Sequence, residues 1–177
     1  MSLPLLSLTI TPNTDDDRER LERGLRALAA EDPTLHVSVD RAAGTSTLGT
    51  MGEIHLEIAV ERLKREFGVS ASVSTPRVVY KESRFAQVMV LLEPVMRVEV
   101  VVPPHHVDAV VSDFADRRAR FQSSVEREGM RVLTVLAPLT QLFGYTNYLR
   151  EQTRGRGSVT MALHGYEPID RPGRSRA

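Results

Sequence analysis

The order of alternating and helical-period segments constrains this chain most: one run of six elements, β-α-β-β-α-β, occurs twice. Residues 5–11 alternate, with Leu6, Leu8 and Ile10 set against Ser7, Thr9 and Thr11, as a half-buried strand does. Pro12 closes that strand, and Thr14 before Asp15, Asp16 and Asp17 has the pattern of an N-cap with an acidic first turn. Leu21, Leu25, Leu28 and Ala29 fall at helical spacing, and Asp32-Pro33 ends the helix. Leu35, Val37 and Val39 alternate as a second strand, and a turn over residues 40–44 leads to a third around 45–48. Thr50-Met51-Gly52-Glu53 has capping-box spacing and predicts the start of a second helix. Its stripe Leu56, Val60, Leu63 and Phe67 ends at Gly68. Val69, Ala71 and Val73 begin a fourth strand, which is expected to continue past Pro76 through Val78 to Tyr80.

The second half repeats the order. Val98, Val100 and Val102 form a strand broken by Pro103-Pro104, and Val107, Val110, Val111 and Phe114 recur as one helical face. Residues 121–125 and 130–136 read as strands around a turn at Glu128-Gly129. Pro138 is expected to open a helix with Leu139, Leu142, Phe143 and Leu149 inward, ended by Gly155-Arg156-Gly157. Val159, Met161 and Leu163 close the unit as a strand. Two such units predict an α+β protein of two consecutive ferredoxin-like split β-α-β modules. The modules are expected at 4–84 and 88–170, with the boundary near 82–87 and a disordered Arg/Ser/Gly/Pro-rich tail at 171–177.

Composition narrows the classes of function. A chain of 177 residues, 41% hydrophobic and 26% charged, is that of a globular protein able to bury a core. The longest apolar runs, such as 88–92 and 98–102, are too short to span a bilayer, and no charged-then-apolar leader opens the sequence. The absence of cysteine excludes disulfides, Cys-zinc and iron–sulfur sites and thiol chemistry. The expected location is therefore cytoplasmic, with no membrane partner. The 23 basic and 23 acidic residues balance, which argues against a general nucleic-acid binder held by a large field. Two asymmetries remain inside that balance. All basic residues but Lys64 and Lys81 are arginine, whose planar fork suits phosphate, although a GC-rich genome produces the same excess. Residues 1–84 hold 11 basic and 13 acidic groups, whereas 85–177 hold 12 and 10.

No catalytic constellation emerges. There is no GxxxxGK[ST] phosphate loop, no HExxH and no nucleophile elbow. Glu53, His55 and Glu57 cannot converge on one ion, because helical neighbours two apart point about 200° away from one another. His105-His106 reads as a surface pair at a helix start. The most suggestive stretch runs from Phe143-Gly144-Tyr145 through Tyr148 and Arg150 to Thr153-Arg154-Gly155-Arg156-Gly157-Ser158. Arginine beside small residues lets backbone approach a phosphate closely. The competing reading places Phe143 and Tyr148 in the core and leaves the glycines as a turn. Arg117 and Arg118, with Arg120, form a second basic cluster at a helix end, where they also meet the helix dipole.

The chain resembles a known family at several of these points. Glu31-Asp32-Pro33-Thr34-Leu35, then Leu48-Gly49-Thr50-Met51-Gly52-Glu53-Ile54-His55-Leu56-Glu57-Ile58 and Arg62-Leu63-Lys64-Arg65-Glu66-Phe67-Gly68-Val69, are similar to the third domain of bacterial translation elongation factor G. Leu91-Leu92-Glu93-Pro94-Val95-Met96 and the stretch from Phe143 to Ser158 resemble the fifth domain of the same family. The chain departs from the family pattern in two places: Gly49-Thr50-Met51-Gly52-Glu53-Ile54 stands where the family usually has Ser-Gly-Met-Gly-Glu-Leu, and Ala119 where Gly usually follows the arginine pair. The resemblance implies parts of a ribosome-dependent GTPase that moves tRNA and mRNA. It also implies that the family's GTPase, barrel and elongated fourth domains are missing from this sequence, and with the first of them the site for GTP and Mg. No cofactor and no enzymatic activity is then expected of this chain. The implied partners are the ribosome, through large-subunit rRNA and stalk-base proteins, and the family's GTPase domain. Carried over by position, Arg117, Arg118, Arg150, Arg154 and Arg156 become candidate rRNA contacts, and Thr50, Met51, Gly52, Glu53 and His55 a candidate interdomain docking face. A stand-alone regulatory or interaction protein built from the same two modules is the alternative.

Overall fold

The computed structural model describes residues 3–85 and 88–169, so the expected tail at 171–177 lies outside the described residues. The chain divides into two units, Met1–Val79 and Tyr80–Ala177. The first comprises β1 (Leu6–Pro12), α1 (Asp15–Glu31), β2 (His36–Asp40), β3 (Thr45–Thr50), α2 (Glu53–Phe67), β4 (Ala71–Val73) and β5 (Arg77–Val78). Its antiparallel sheet has the order β2-β3-β1-β4, with β5 also pairing β1. The alternation of β1 turns Leu6, Leu8 and Ile10 inward, where Leu21, Leu25 and Leu28 of α1 and Leu56 and Leu63 of α2 are also buried. Each such leucine contributes about 1.5–3 kcal/mol relative to exposure.

The start of α1 forms as its sequence predicts. The Thr14 hydroxyl accepts the Asp17 backbone N–H at 3.1 Å and donates to the Asp17 carboxylate at 2.7 Å. Asp17 is 5% exposed, and its carboxylate also accepts the Ser70 backbone N–H at 3.1 Å. The Thr14 hydroxyl, then the Ser70 amide, hold its pKa below the ordinary 3.8. The folded state therefore binds fewer protons than the unfolded chain as the pH falls through that value. Stability contributed by Asp17 is complete above pH 4 and drains away as acid reaches the depressed folded pKa. In urea titrations, Asp17→Asn is expected to flatten the fall of the first unit's midpoint between pH 4.5 and 2.5. An acid limb equally steep in the variant assigns that sensitivity to other carboxylates.

Two local expectations fail in this unit. The fourth strand is interrupted: β4 and β5 both lie along β1, but Pro76 between them has no N–H to give the ladder. Thr50 is not a helix cap, because it is the last residue of β3 and pairs with Leu6. Gly52 is the N-cap of α2, and the Thr50 hydroxyl donates to its carbonyl at 2.9 Å. Strand pairing fixes Thr50 before the helix begins, so its side chain braces the turn instead of the first helical amides.

The second unit comprises β6 (Lys81–Phe85), β7 (Val88–Val102), α3 (Val107–Asp116), β8 (Arg120–Arg127), β9 (Met130–Pro138), α4 (Tyr145–Gln152) and β10 (Ser158–Pro168), with 3₁₀ turns at Pro104–His106 and Leu139–Gln141. The sheet order is β10-β7-β9-β8, again antiparallel and ferredoxin-like. Val98 and Val100 of β7 pair with Val135 and Leu133 of β9, and with Val102 and Ala137 they face a core closed by Phe114, Leu142, Tyr145 and Leu149.

Strand β7 is much longer than its valine alternation suggests. Its later part pairs with β9 from Val95↔Pro138 to Val102↔Arg131, and its earlier part pairs with β6 from Lys81↔Leu92 to Phe85↔Val88. Residues 82–85, expected to be the boundary, are thus a strand of the second sheet, while 86 and 87 lie outside the described residues. The polar run Glu82-Ser83-Arg84 carries no hydrophobic alternation to announce an exposed edge strand. The helix expected from Pro138 is also broken. Pro138 ends β9, one 3₁₀ turn follows, and Gly144 at φ 69° resets the chain before α4. Among the described residues no helix is long and apolar enough to cross a membrane.

Candidate nucleic-acid interface

The end of α4 and the loop to β10 form one tightly tied structure. Thr153 is 1% exposed; its hydroxyl donates to the Leu149 carbonyl at 2.7 Å and accepts the Gly157 N–H at 2.8 Å. The Gly155 N–H closes onto the Arg150 carbonyl at 2.8 Å, with Arg154 at φ 52° and Gly155 at φ 78° in left-handed backbone. Gly157 sits so close to its neighbours that an added Cβ would lie 2.9 Å from Thr153 and 3.1 Å from Val102. Arg150, Arg154 and Arg156 are exposed on this framework, and among the described residues their guanidinium groups form no ion pair. Exposed forks on a fixed backbone suit phosphate oxygens.

The other two arginines of the expected set are differently placed. Arg117 Nε donates to Asp113 at 2.7 Å, Nη1 donates to the Gln141 carbonyl at 2.7 Å, and the guanidinium lies 5.0 Å from the Tyr145 ring centroid. These contacts leave its fork engaged inside the module. Arg118, at φ 55°, reaches the 5%-exposed Glu93 and the Thr140 hydroxyl only at 3.5 Å. Nearby Arg120 pairs with Glu167 at 2.8 Å, which raises the guanidinium pKa and lowers that of the carboxyl. The core assignment of the aromatics also shifts: Tyr145 is fully buried, Phe143 is half-buried and Tyr148 is exposed. Burial, then Asp113, raises the Tyr145 phenol pKa.

Across from the arginine loop lies the 3₁₀ turn Pro104–His106. The register Ser158↔Val101 sets Gly157 beside Val102, and Val102 leads directly into that turn. The His105 and His106 rings stand 4.2 Å apart between centroids. Desolvation, then His105, Arg156 and Arg154, hold the His106 pKa below its ordinary value, so the two arginines share its electrostatic field. The sequence signal for this grouping is the strand pairing itself, which returns the end of one strand to the start of the other.

The expected docking residues of the first unit do not form one exposed face. Thr50 is fully buried, Gly52 caps the helix and Glu53 occupies its first turn. His55 Nε2 lies 2.7 Å from Asp32, whose pKa is lowered mainly by the Thr34 hydroxyl. Only Met51 of the set is an exposed apolar residue, at 38%. The exposed apolar residues of α2 itself are Ile54 and Ile58, 54% and 53% exposed, neither of which belongs to the expected set. Their spacing marks a second face of α2, opposite Leu56, Ala59 and Leu63. Among the described residues no group of three or more His, Asp or Glu side chains is placed to hold a metal ion.

Comparison with known proteins matches the two units to parts of one family. The family model "Elongation Factor G, domain III" matches residues 1–75, and "Elongation factor G C-terminus" matches 90–175. Elongation factor G of Gluconobacter oxydans is 25% identical over 276 residues, covering 96% of this chain and 39% of the relative. Elongation factor G of Pseudothermotoga lettingae is 28% identical over 278, covering 95% and 40%. The chain thus spans about two fifths of the length of the curated relatives it matches. An alignment of 276 positions exceeds the 177 residues here by 99, so at least that many positions of the relative have no counterpart in this sequence. A crystal structure of a Thermus thermophilus protein, 19% identical, superposes with a TM-score of 0.65 over 96% of this chain and 41% of that one, which speaks for the fold alone. Two family models in sequence, each on one ferredoxin-like unit, carry the assignment: the chain belongs to the elongation factor G family, through its domain III and C-terminal modules.

Proposed function

We propose that this chain binds the ribosome as a non-hydrolysing part of the translocation machinery, with its second unit against large-subunit rRNA and its first against a protein partner. The observation that carries this reading is the exposed set Arg150, Arg154 and Arg156, without ion pairs among the described residues, on a loop fixed by Thr153 and Gly157. A loop rigid before binding loses little freedom on contact, so its arginines bind phosphate at low entropic cost. Arg118, beside Glu93, lies at the other end of β7 from the loop at Val102 and so stands apart from this surface, whereas Arg117 ties the end of α3 to Gln141 and the Tyr145 ring of α4. The relatives are named as elongation factors, and stalk-base proteins and the family's GTPase domain are the partners this reading assigns. Neither GTP turnover nor a location outside the cytoplasm fits it.

The test is co-sedimentation with 50S subunits at about 50 mM salt. Arg154→Glu with Arg156→Glu removes two phosphate contacts and adds repulsion. It is expected to weaken binding by about 30-fold or more, and to lower the dependence on salt concentration by about two charges. Equal pelleting of wild type and variant refutes the assignment of these arginines. The stand-alone interaction reading is favoured by one feature, the exposed Ile54 and Ile58 one turn apart on α2, since an exposed apolar patch marks protein contact. A wild-type chain that does not pellet with 50S subunits even at this salt supports that second reading.

A further inference from the structure

The His105–His106 pair reads from sequence as an ordinary helix start, and nothing in the proposed arginine contact uses it. Three observations bring it to the same surface. The register of β7 with β10 returns the Arg154–Gly157 loop to the 3₁₀ turn, with Gly157 packed against Val102. The His105 and His106 ring centroids lie 4.2 Å apart, so the two imidazoles present one joint surface at the turn. The charged groups acting on His106 are His105 from its own turn and Arg156 and Arg154 from the loop. Each of these is cationic or becomes so on protonation. The turn is thus a concentration of positive charge that protons enter reluctantly in the free protein. His106 titrates below its ordinary value there for reasons of burial first and like charge second.

From this placement we infer that His105 and His106 complete an RNA phosphodiester site with Arg154 and Arg156, one whose affinity strengthens as the histidines gain protons. The inference rests on the arginine loop meeting RNA. A phosphate seated among the four side chains offsets the burial and like charge that hold the His106 pKa down, so binding takes up a proton and acid favours the complex. Two arginines alone would bind with nearly constant strength between pH 6 and 8, because guanidinium does not titrate there. The histidines make the site a graded one: weak where they are neutral, stronger where phosphate and protons arrive together.

The probe is a fluorescein-labelled RNA hairpin of about 20 nucleotides, titrated with the whole chain at fixed low ionic strength. Affinity is expected to rise about fivefold or more from pH 8.0 to pH 6.0 in wild type, and to stay nearly flat in His105→Gln/His106→Gln. The remaining histidines, His36, His55 and His164, are unchanged in that variant and serve as its internal control. An NMR titration of the imidazole protons provides the second reading: saturating RNA is expected to shift the His106 midpoint upward, whether or not the substitutions perturb folding. Equal pH dependence in wild type and the double-glutamine variant, or a His106 midpoint unmoved by bound RNA, overturns this proposal and leaves the arginine contact standing. A chain that binds no hairpin at either pH overturns both.

Discussion

Tyr145→Ala is expected to lower the stability of the second unit by about 3–5 kcal/mol, the range for deleting a buried aromatic from a packed core. Tyr145 is the first residue of α4 and is fully buried, with its ring 4.9 Å from Phe114 of α3 and 5.0 Å from the Arg117 guanidinium. Removing it empties the space between the two helices and strips Arg117 of the ring it lies over. Asp113 and the Gln141 carbonyl would still hold that arginine, so the loss is one of packing more than of charge. Tyr145→Phe separates the contributions. The hydroxyl finds no partner among the described residues, so the phenylalanine variant is expected to stay within about 1 kcal/mol of wild type. Calorimetry of the whole chain checks this: a unit of this size loses about 4–8 °C per kcal/mol, so the alanine variant's transition falls by more than about 10 °C. A transition displaced by only a few degrees in Tyr145→Ala contradicts the packing described here.

A comparable loss is expected from Gly24→Val, in the first unit. Glycine inside a helix ordinarily costs about 1 kcal/mol relative to alanine, which makes Gly24 a liability when α1 is considered alone. The packing explains it. A Cβ at this position would lie 2.7 Å from Leu63 Cδ2 and 2.9 Å from Phe67 Cγ, both on α2. The helices meet where one of them has no side chain. Alanine gains helix propensity and forces its neighbours apart, so the two effects oppose each other. Valine adds two further methyl groups and a branched Cβ, and is expected to destabilise by about 3 kcal/mol through overpacking. The observable is the first unit's urea midpoint, with that of the second as reference. A Gly24→Val midpoint equal to wild type would mean that α1 and α2 do not approach each other in solution as they do here.

Much of this architecture is legible in the order of residues alone. Period-two alternation locates β1 and the valine-rich part of β7, and period 3.6 locates α1, α2 and α3, because these segments bury one face and expose the other. Thr14 and Gly68 mark helix ends by local chemistry, and both serve there. What the sequence conceals depends on distant partners. Thr50 has the spacing of a cap, yet pairing with Leu6 commits it to β3. Strand β6 has no apolar pattern, because an edge strand of polar residues is defined by its hydrogen bonds to β7. Arg117 and Arg154 look alike as letters. They differ because Asp113 stands four residues before Arg117, a helical spacing the sequence does display, and because the Gln141 carbonyl reaches it from across the fold, which the sequence does not show. The exposed apolar residues of α2 are hidden for a similar reason. The inward stripe of α2 dominates its pattern and masks Ile54 and Ile58, which lie on the opposite, exposed side of the helix.

The ferredoxin-like frame gives the proposed surface its rigidity. Strands β7 and β10 run side by side and deliver the Pro104–His106 turn and the Arg154–Gly157 loop to the same edge. Thr153 then locks the loop to α4 through two hydrogen bonds from one buried hydroxyl. Stability and recognition are divided between neighbours here, since the residues that hold the loop are not those expected to touch RNA.

Directed cleavage of rRNA tests the central claim most directly. The sequence contains no cysteine, so Ser158→Cys, at an exposed position beside the arginine loop, creates a single attachment point for an iron chelate that releases hydroxyl radicals. With 50S subunits at low salt, this account predicts strand breaks confined to a small region of large-subunit rRNA, lost when Arg154→Glu and Arg156→Glu are added. Breaks no different from those of the free chelate, or breaks that persist in the charge-reversed chain, would contradict it.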